Sequence, residues 1–235
     1  MAMSSWPDLQ AVVGTVNLGN ILTELTGLRL SCVLDRPRVP ASAMPRVVDT
    51  GLREAEVVGL TTIRDDTVTG LPAAGQTQQT TVALSNAVGD LAVVYPQAIA
   101  RSLELAVAAD AAQRASREVG LSGPAYTGMV LAGWRTVAAN GDTKAADSWL
   151  DRGAATTSAT VYLHLVSISG AGSVTFALWH SPDGTNWAQA PATATLSAGS
   201  ACSFENTGTL GRYLALSWTF NSPTSPQATF LAAVV

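Results

Sequence analysis

The strongest constraint on this chain is a period-two alternation of apolar and polar residues. It recurs in short stretches, each ended by Gly, Pro, Asn or Asp. Successive side chains of an extended strand point to opposite faces, so such alternation suits a sheet with one buried face and lays no stripe along a helix. LRLSCVL (28–34) alternates until two prolines stop it, and REAEVVGLTTI (53–63) is strand-like. DLAVVYP (90–96) is a short buried run closed by proline. YTGMVLAGWRTVA (126–138), TVYLHLVSIS (160–169), VTFALWHS (174–181) and RYLALSWTF (212–220) are each rich in β-branched or aromatic residues. The expected fold class is mainly β.

Two segments read differently. TTVALSNAVG (80–89) predicts one short helix, with Gly89 placed to end it. PQAIARSLELAVAADAAQRASREVG (96–120) is alanine-rich and favours a helix by propensity, yet SLELAVA inside it alternates. The residues alone leave both readings of that segment open. The polar, turn-rich stretch 140–158 predicts a join between two units, 1–140 and 145–235. The second unit has the strand spacing of an antiparallel sandwich. Its clearest hairpin is VTFALWHSPDGTNWAQ, where SPDGTN supplies Pro early in the turn and Gly where positive φ is wanted.

Composition narrows the function. Charged residues make up 13%, and Lys144 is the single lysine among 13 basic residues. A soluble domain usually carries roughly 25% charged residues, and a free monomer relies on them for solubility. A chain this poor in charge is expected to pack against copies of itself. Net charge is −4 and no like-charge run exceeds Asp65-Asp66, so nothing predicts wide electrostatic capture of DNA or of an anionic membrane. No apolar segment approaches the roughly 20 residues of a membrane span. The start, MAMSSWPDLQ, has neither the basic opening nor the apolar stretch of a signal peptide, which points to synthesis in cytoplasm. Cys32 and Cys202 fit no metal-ligand spacing and read as small buried hydrophobes.

Catalytic groupings were sought by residue type and spacing. His164 and His180 have no neighbouring ligand residues and read as core or surface histidines. Asp183 and Asn186 offer oxygens to calcium, but a turn accounts for them better. Glu54 and Glu56 alternate on one strand face, as solvated carboxylates do. Gly14 to Gly19 has the glycine spacing of a phosphate loop without its Lys-Ser/Thr. No catalytic residue, metal or cofactor is expected. Trp179, Trp187, Tyr213 and Trp218 are expected to fill the sandwich core, with Trp187, just after a hairpin turn, the one candidate for an exposed aromatic. DRPRVPASAMPRVVD (35–49) holds three prolines in fifteen residues, which forbids a helix and a central strand. A loop of that length is a candidate interaction surface.

The motifs then meet a family. YLHLVSIS, VTFALWHSPDGTNWAQ and GRYLALSWTF, in that order, resemble an Ig-like β-sandwich recurrent in bacteriophage virion proteins: a YLH strand, an HSPDGTxW hairpin and a RYL strand. That pattern implies core positions for Trp187 and Tyr213. In the first unit, VNLGNILTELTGLRLSCVL, the proline-rich loop and VVDTGLREAEVVGLTTIRDD are similar to the opening of tail tube proteins of long-tailed phages. Asn17-Leu18 stands where that family prefers Asp-Leu, Thr50-Gly51-Leu52 where it has PGL, and Gly59-Leu60 matches its GL.

The resemblance implies a ring-forming β-sandwich or barrel domain with one short helix over 1–140 and an Ig-like sandwich over 145–235. It also implies strands, not helix, over 101–122. The implied role is a major tail tube subunit of the virion, assembled in host cytoplasm. Its partners would be itself, as stacked homo-hexameric rings, together with tail terminator, tape-measure and baseplate or distal tail proteins. DNA would pass through the lumen without sequence-specific binding, and no membrane is engaged. Arg36, Arg38, Pro40, Pro45 and Arg46 are the expected subunit or ring contacts. Two rivals are a capsid decoration or minor tail protein, and a carbohydrate-binding module acting through Trp187.

Overall fold

The computed structural model describes residues 10–18, 22–26, 30–35, 48–63, 75–107, 115–145 and 148–235. Its strands are β1 (Gln10–Val13), β2 (Val16–Asn17), β3 (Leu22–Thr26), β4 (Leu30–Asp35), β5 (Val48–Ile63), β6 (Thr77–Ala83) and β7 (Leu91–Val107). They continue with β8 (Ala115–Pro124), β9 (Tyr126–Val137), β10 (Gly141–Asp142), β11 (Leu150–Asp151), β12 (Thr156–Ser169) and β13 (Ser173–Ser181). The last are β14 (Ala188–Leu196), β15 (Ser200–Leu210), β16 (Tyr213–Asn221) and β17 (Gln227–Val234).

The helix expected over 80–89 is a correction: residues up to Ala83 are strand and the rest are a turn. Among the described residues there is no helix. Thr80, Thr81 and Val82 are β-branched and fully buried, so sheet packing on both faces outweighs the weak helical preference of the segment. Ser85 and Asp90 then close the turn, with the Ser85 hydroxyl donating to the Asp90 carboxylate. The described parts of the alanine-rich segment are strand as well: β7 runs unbroken to Val107, and β8 begins at Ala115. Leu103, Leu105 and Val107 pair with Val119, Arg117 and Ala115.

Pairing is antiparallel throughout and builds two sheets. The larger runs β15-β12-β17-β9-β7-β6-β1-β2, with β8 on β7 and β5, and β3 and β4 on β5. The smaller runs β10-β16-β13-β14, with β11 also on β16. β12, β15 and β17 face the smaller sheet, and their inward side chains make the main core. Phe176 and Phe230 meet edge to face at 5.0 Å between centroids, and Trp218 lies 5.3 Å from Phe230. Val161, Leu163, Leu165, Leu178, Leu214 and Leu216 complete the layer, all fully buried. β9, from before the 140–158 stretch, and β17, from well after it, are paired neighbours from Met129↔Val234 to Val137↔Ala228.

The larger sheet also rolls back on itself. β6 is four places from β12 in the strand order, yet Thr81 on β6 touches His164 on β12. Inside the roll lie Ala83, Ala92, Val94, Val130, Tyr162 and Ala233. Small side chains let the strands close around a narrow interior. β12 is therefore buried on both faces, Val161 to Leu165 without a break.

Candidate functional site

The most built polar arrangement is the seam where the roll closes. His164 is fully buried. Its Nδ1 lies 2.7 Å from the Gly14 carbonyl and its Nε2 lies 2.8 Å from Thr81 Oγ1. A carbonyl only accepts, so Nδ1 carries the proton and donates it to Gly14. Nε2 then accepts from the Thr81 hydroxyl and from Gln79 Nε2 at 3.3 Å. Gln79 Nε2 also donates to the Leu163 carbonyl at 3.2 Å. One neutral imidazole thus ties the β1–β2 turn, β6 and β12 together. Burial away from water pushes its pKa down from 6.5 to about 4, and the bond to Gly14 offsets part of that. These bonds join the ring on β12 to the β1–β2 turn and to β6, so the arrangement cross-braces the closed roll.

The second arrangement is the aromatic face of the β13–β14 hairpin. Trp149, Trp187 and Tyr213 form a half-buried group, with Trp149 5.9 Å from each of the other two rings. β10 and β11 both pair with β16, β10 at Trp218 and Ser217 and β11 at Leu214 and Tyr213. In the chain between them, Lys144 sits 3.9 Å from the Trp179 ring centre, and Trp149 packs on the hairpin turn. The expectation that all four rings fill the core is corrected in part. Trp218 does fill it, whereas Trp179, Trp187 and Tyr213 are half-buried on the outside. The reason is register: Tyr213 and Trp179 alternate with the inward Leu214, Leu216, Val174, Phe176 and Leu178, and so point to the other face.

The turn 182–187 is held by its own side chains. Gly184 has φ 76°, a conformation that favours glycine. The Asp183 carboxylate accepts from the backbone N–H groups of Asn186 and Thr185 at 2.8 and 2.9 Å, and from Asn186 Nδ2 at 2.6 Å. Those bonds, the Asn186 N–H first, hold its pKa well below the usual carboxylate range. Its oxygens are thus occupied by the turn, which accounts for the Asp183–Asn186 pair without calcium. His180 accepts the Gly211 N–H at 3.1 Å. Beside the aromatic group, Arg212 donates twice to Asp151, both at 2.6 Å, and its guanidinium lies over Tyr213.

Arg36, Arg38, Pro40, Pro45 and Arg46 lie outside the described residues. Trp187 is described, and the ring it meets, Trp149, comes from the turn-rich stretch that sequence reading assigned to a join. Among the described residues no cluster of three or more His, Cys, Asp or Glu could hold a metal ion. No described helix is long and apolar enough to cross a membrane.

No family model matches the sequence, and no curated protein matches it. Among solved structures, the chain is similar to the Dit hub adsorption protein of phage SPP1, at 10% identity and a TM-score of 0.31, over 97% of this chain and 99% of that one. It is similar to a structure of infectious bursal disease virus, Gx strain, at 12% identity and a TM-score of 0.26, over 100% of this chain and 59% of that one. TM-scores this low assign neither fold nor function.

Proposed function

We propose that this protein is a non-enzymatic structural subunit of a phage virion, the tail tube subunit whose stacked homo-hexameric rings conduct DNA. The observation that carries the reading is where the motifs fall. YLH lies in β12, HSPDGTNW bridges β13 and β14, and RYL opens β16, all within one two-layer sandwich. Low charge agrees with a chain covered by its own copies. An extended sheet also leaves edge strands that ring closure would seal. Pro191 in the terminal strand β14 supplies no N–H, which blunts that edge against stray pairing. Tail terminator, tape-measure and baseplate or distal tail proteins would meet the ends of such a tube. The net charge of −4 suits a lumen that does not hold DNA.

Electron microscopy of the purified protein is the test. Open tubes of stacked rings are expected, and monodisperse monomers would overturn the reading. Reversing Arg36, Arg38 and Arg46 to Glu together is expected to stop tube growth; normal tubes from that variant would remove those residues from the contact. A second reading rests on the half-buried Trp149, Trp187 and Tyr213, whose exposed faces suit the apolar face of a sugar ring. It expects saccharide binding, in a glycan array, that is lost in Trp187→Ala.

A further inference from the structure

The row Val234–Met129–Leu91 crosses β17, β9 and β7 as direct neighbours on one face of the larger sheet. Val234 belongs to the sandwich core and is buried, whereas Met129 is 38% and Leu91 42% exposed. The core face of the sheet thus runs on beyond the smaller sheet that covers it. At that margin is a pocket of about 210 Å³ whose described lining includes Leu91, Gly128, Met129, Arg152 and Val235. Gly128 keeps it tightly built, since a Cβ there would sit 2.4 Å from the Val234 carbonyl oxygen. Arg152 is the one charged residue of that lining. Its Nη1 is buried and meets no acceptor among the described residues.

We infer that this pocket is a contact for a second copy of the chain, which inserts an apolar side chain and brings a carboxylate to Arg152. Its volume is below the roughly 300–1,000 Å³ of small-molecule sites, and suits one side chain of a macromolecular partner. A buried guanidinium nitrogen without an acceptor is costly to leave unmade, and a carboxylate is its best match. The chain itself has an excess of such groups, 17 acidic against 13 basic residues. The inference rests on the self-assembly proposed above and names one of its contact points.

Sedimentation velocity over a concentration series tests both, using the full chain, Arg152→Gln and Leu91→Glu. Self-association of the native chain is expected, weakened about tenfold in Arg152→Gln, the scale of one lost charge-assisted hydrogen bond. A larger loss is expected in Leu91→Glu, which places a charge on the apolar wall at an already exposed position. Circular dichroism establishes that each variant is folded, and Leu91→Glu keeps the test intact if Arg152→Gln is not. A native chain that assembles alongside folded variants that assemble equally well overturns the pocket contact alone. A native chain that stays monomeric overturns this contact and the self-assembly reading together.

Discussion

Phe230→Ala is expected to destabilise the protein by about 3–5 kcal/mol, the range for truncating a buried aromatic ring. Phe230 is fully buried, and its ring contacts both Phe176 and Trp218 across the two layers. Its strand, β17, is hydrogen-bonded to β12 on one side and β9 on the other. A cavity there cannot be closed by moving a loop, because Phe230 is paired within the sheet with Leu165 on one side and Arg135 on the other. Urea unfolding at neutral pH measures it: the midpoint should fall with the slope unchanged. A loss under about 1 kcal/mol would mean that the layers are not joined through this ring.

Acidification should weaken the fold through His164. Unfolded, the imidazole titrates near 6.5; folded, it takes a proton only near pH 4. Above pH 6.5 the ring is neutral in both states and stability does not depend on its titration. As pH falls from 6.5 to 4, the unfolded chain binds a proton that the folded chain refuses, so stability drops. The drop totals about 3 kcal/mol, at about 1.4 kcal/mol per pH unit, and levels off once the folded form is protonated as well. Protonation also turns Nε2 into a donor, facing the Gln79 amide that donates to it in the neutral state. Carboxylates titrate in the same range, so the comparison is with His164→Gln across pH 7 to 4. The variant should be less stable at pH 7 and lose less on acidification. Parallel curves for the two proteins would exclude His164 as the source.

Much of the local structure was legible. The alternating runs at 53–63, 126–138, 160–169, 174–181 and 212–220 coincide with β5, β9, β12, β13 and β16. The turn at SPDGTN is where Pro182, Asp183 and Gly184 place it, because turn preferences act within four residues. β15 and β17 carry weaker signals: SACSFENTGTL is mostly small and polar, and QATFLAAV is apolar nearly throughout. Of the functional surfaces, Trp187 could be singled out from its place after the turn. Trp149 and Arg152 could not, since each gains its role only from distant neighbours. The buried Nη1 of Arg152, unpartnered among the described residues, has no counterpart in any motif.

By itself, then, the sequence determined the class of fold, the hairpin and the shortage of charge, all properties that arise within a few residues or by simple addition. The tertiary structure decided the rest. It turned 80–83 from expected helix to strand, set β9 beside β17, and covered both faces of β12 so that His164 became a buried brace. It also sent Trp187 and Tyr213 to the outer face and left Met129 and Leu91 beyond the edge of the covering sheet. The physical reason is common to all of these. Strand pairing and layer packing are decided by contacts far apart along the chain, and a one-residue choice of register selects which face each side chain occupies.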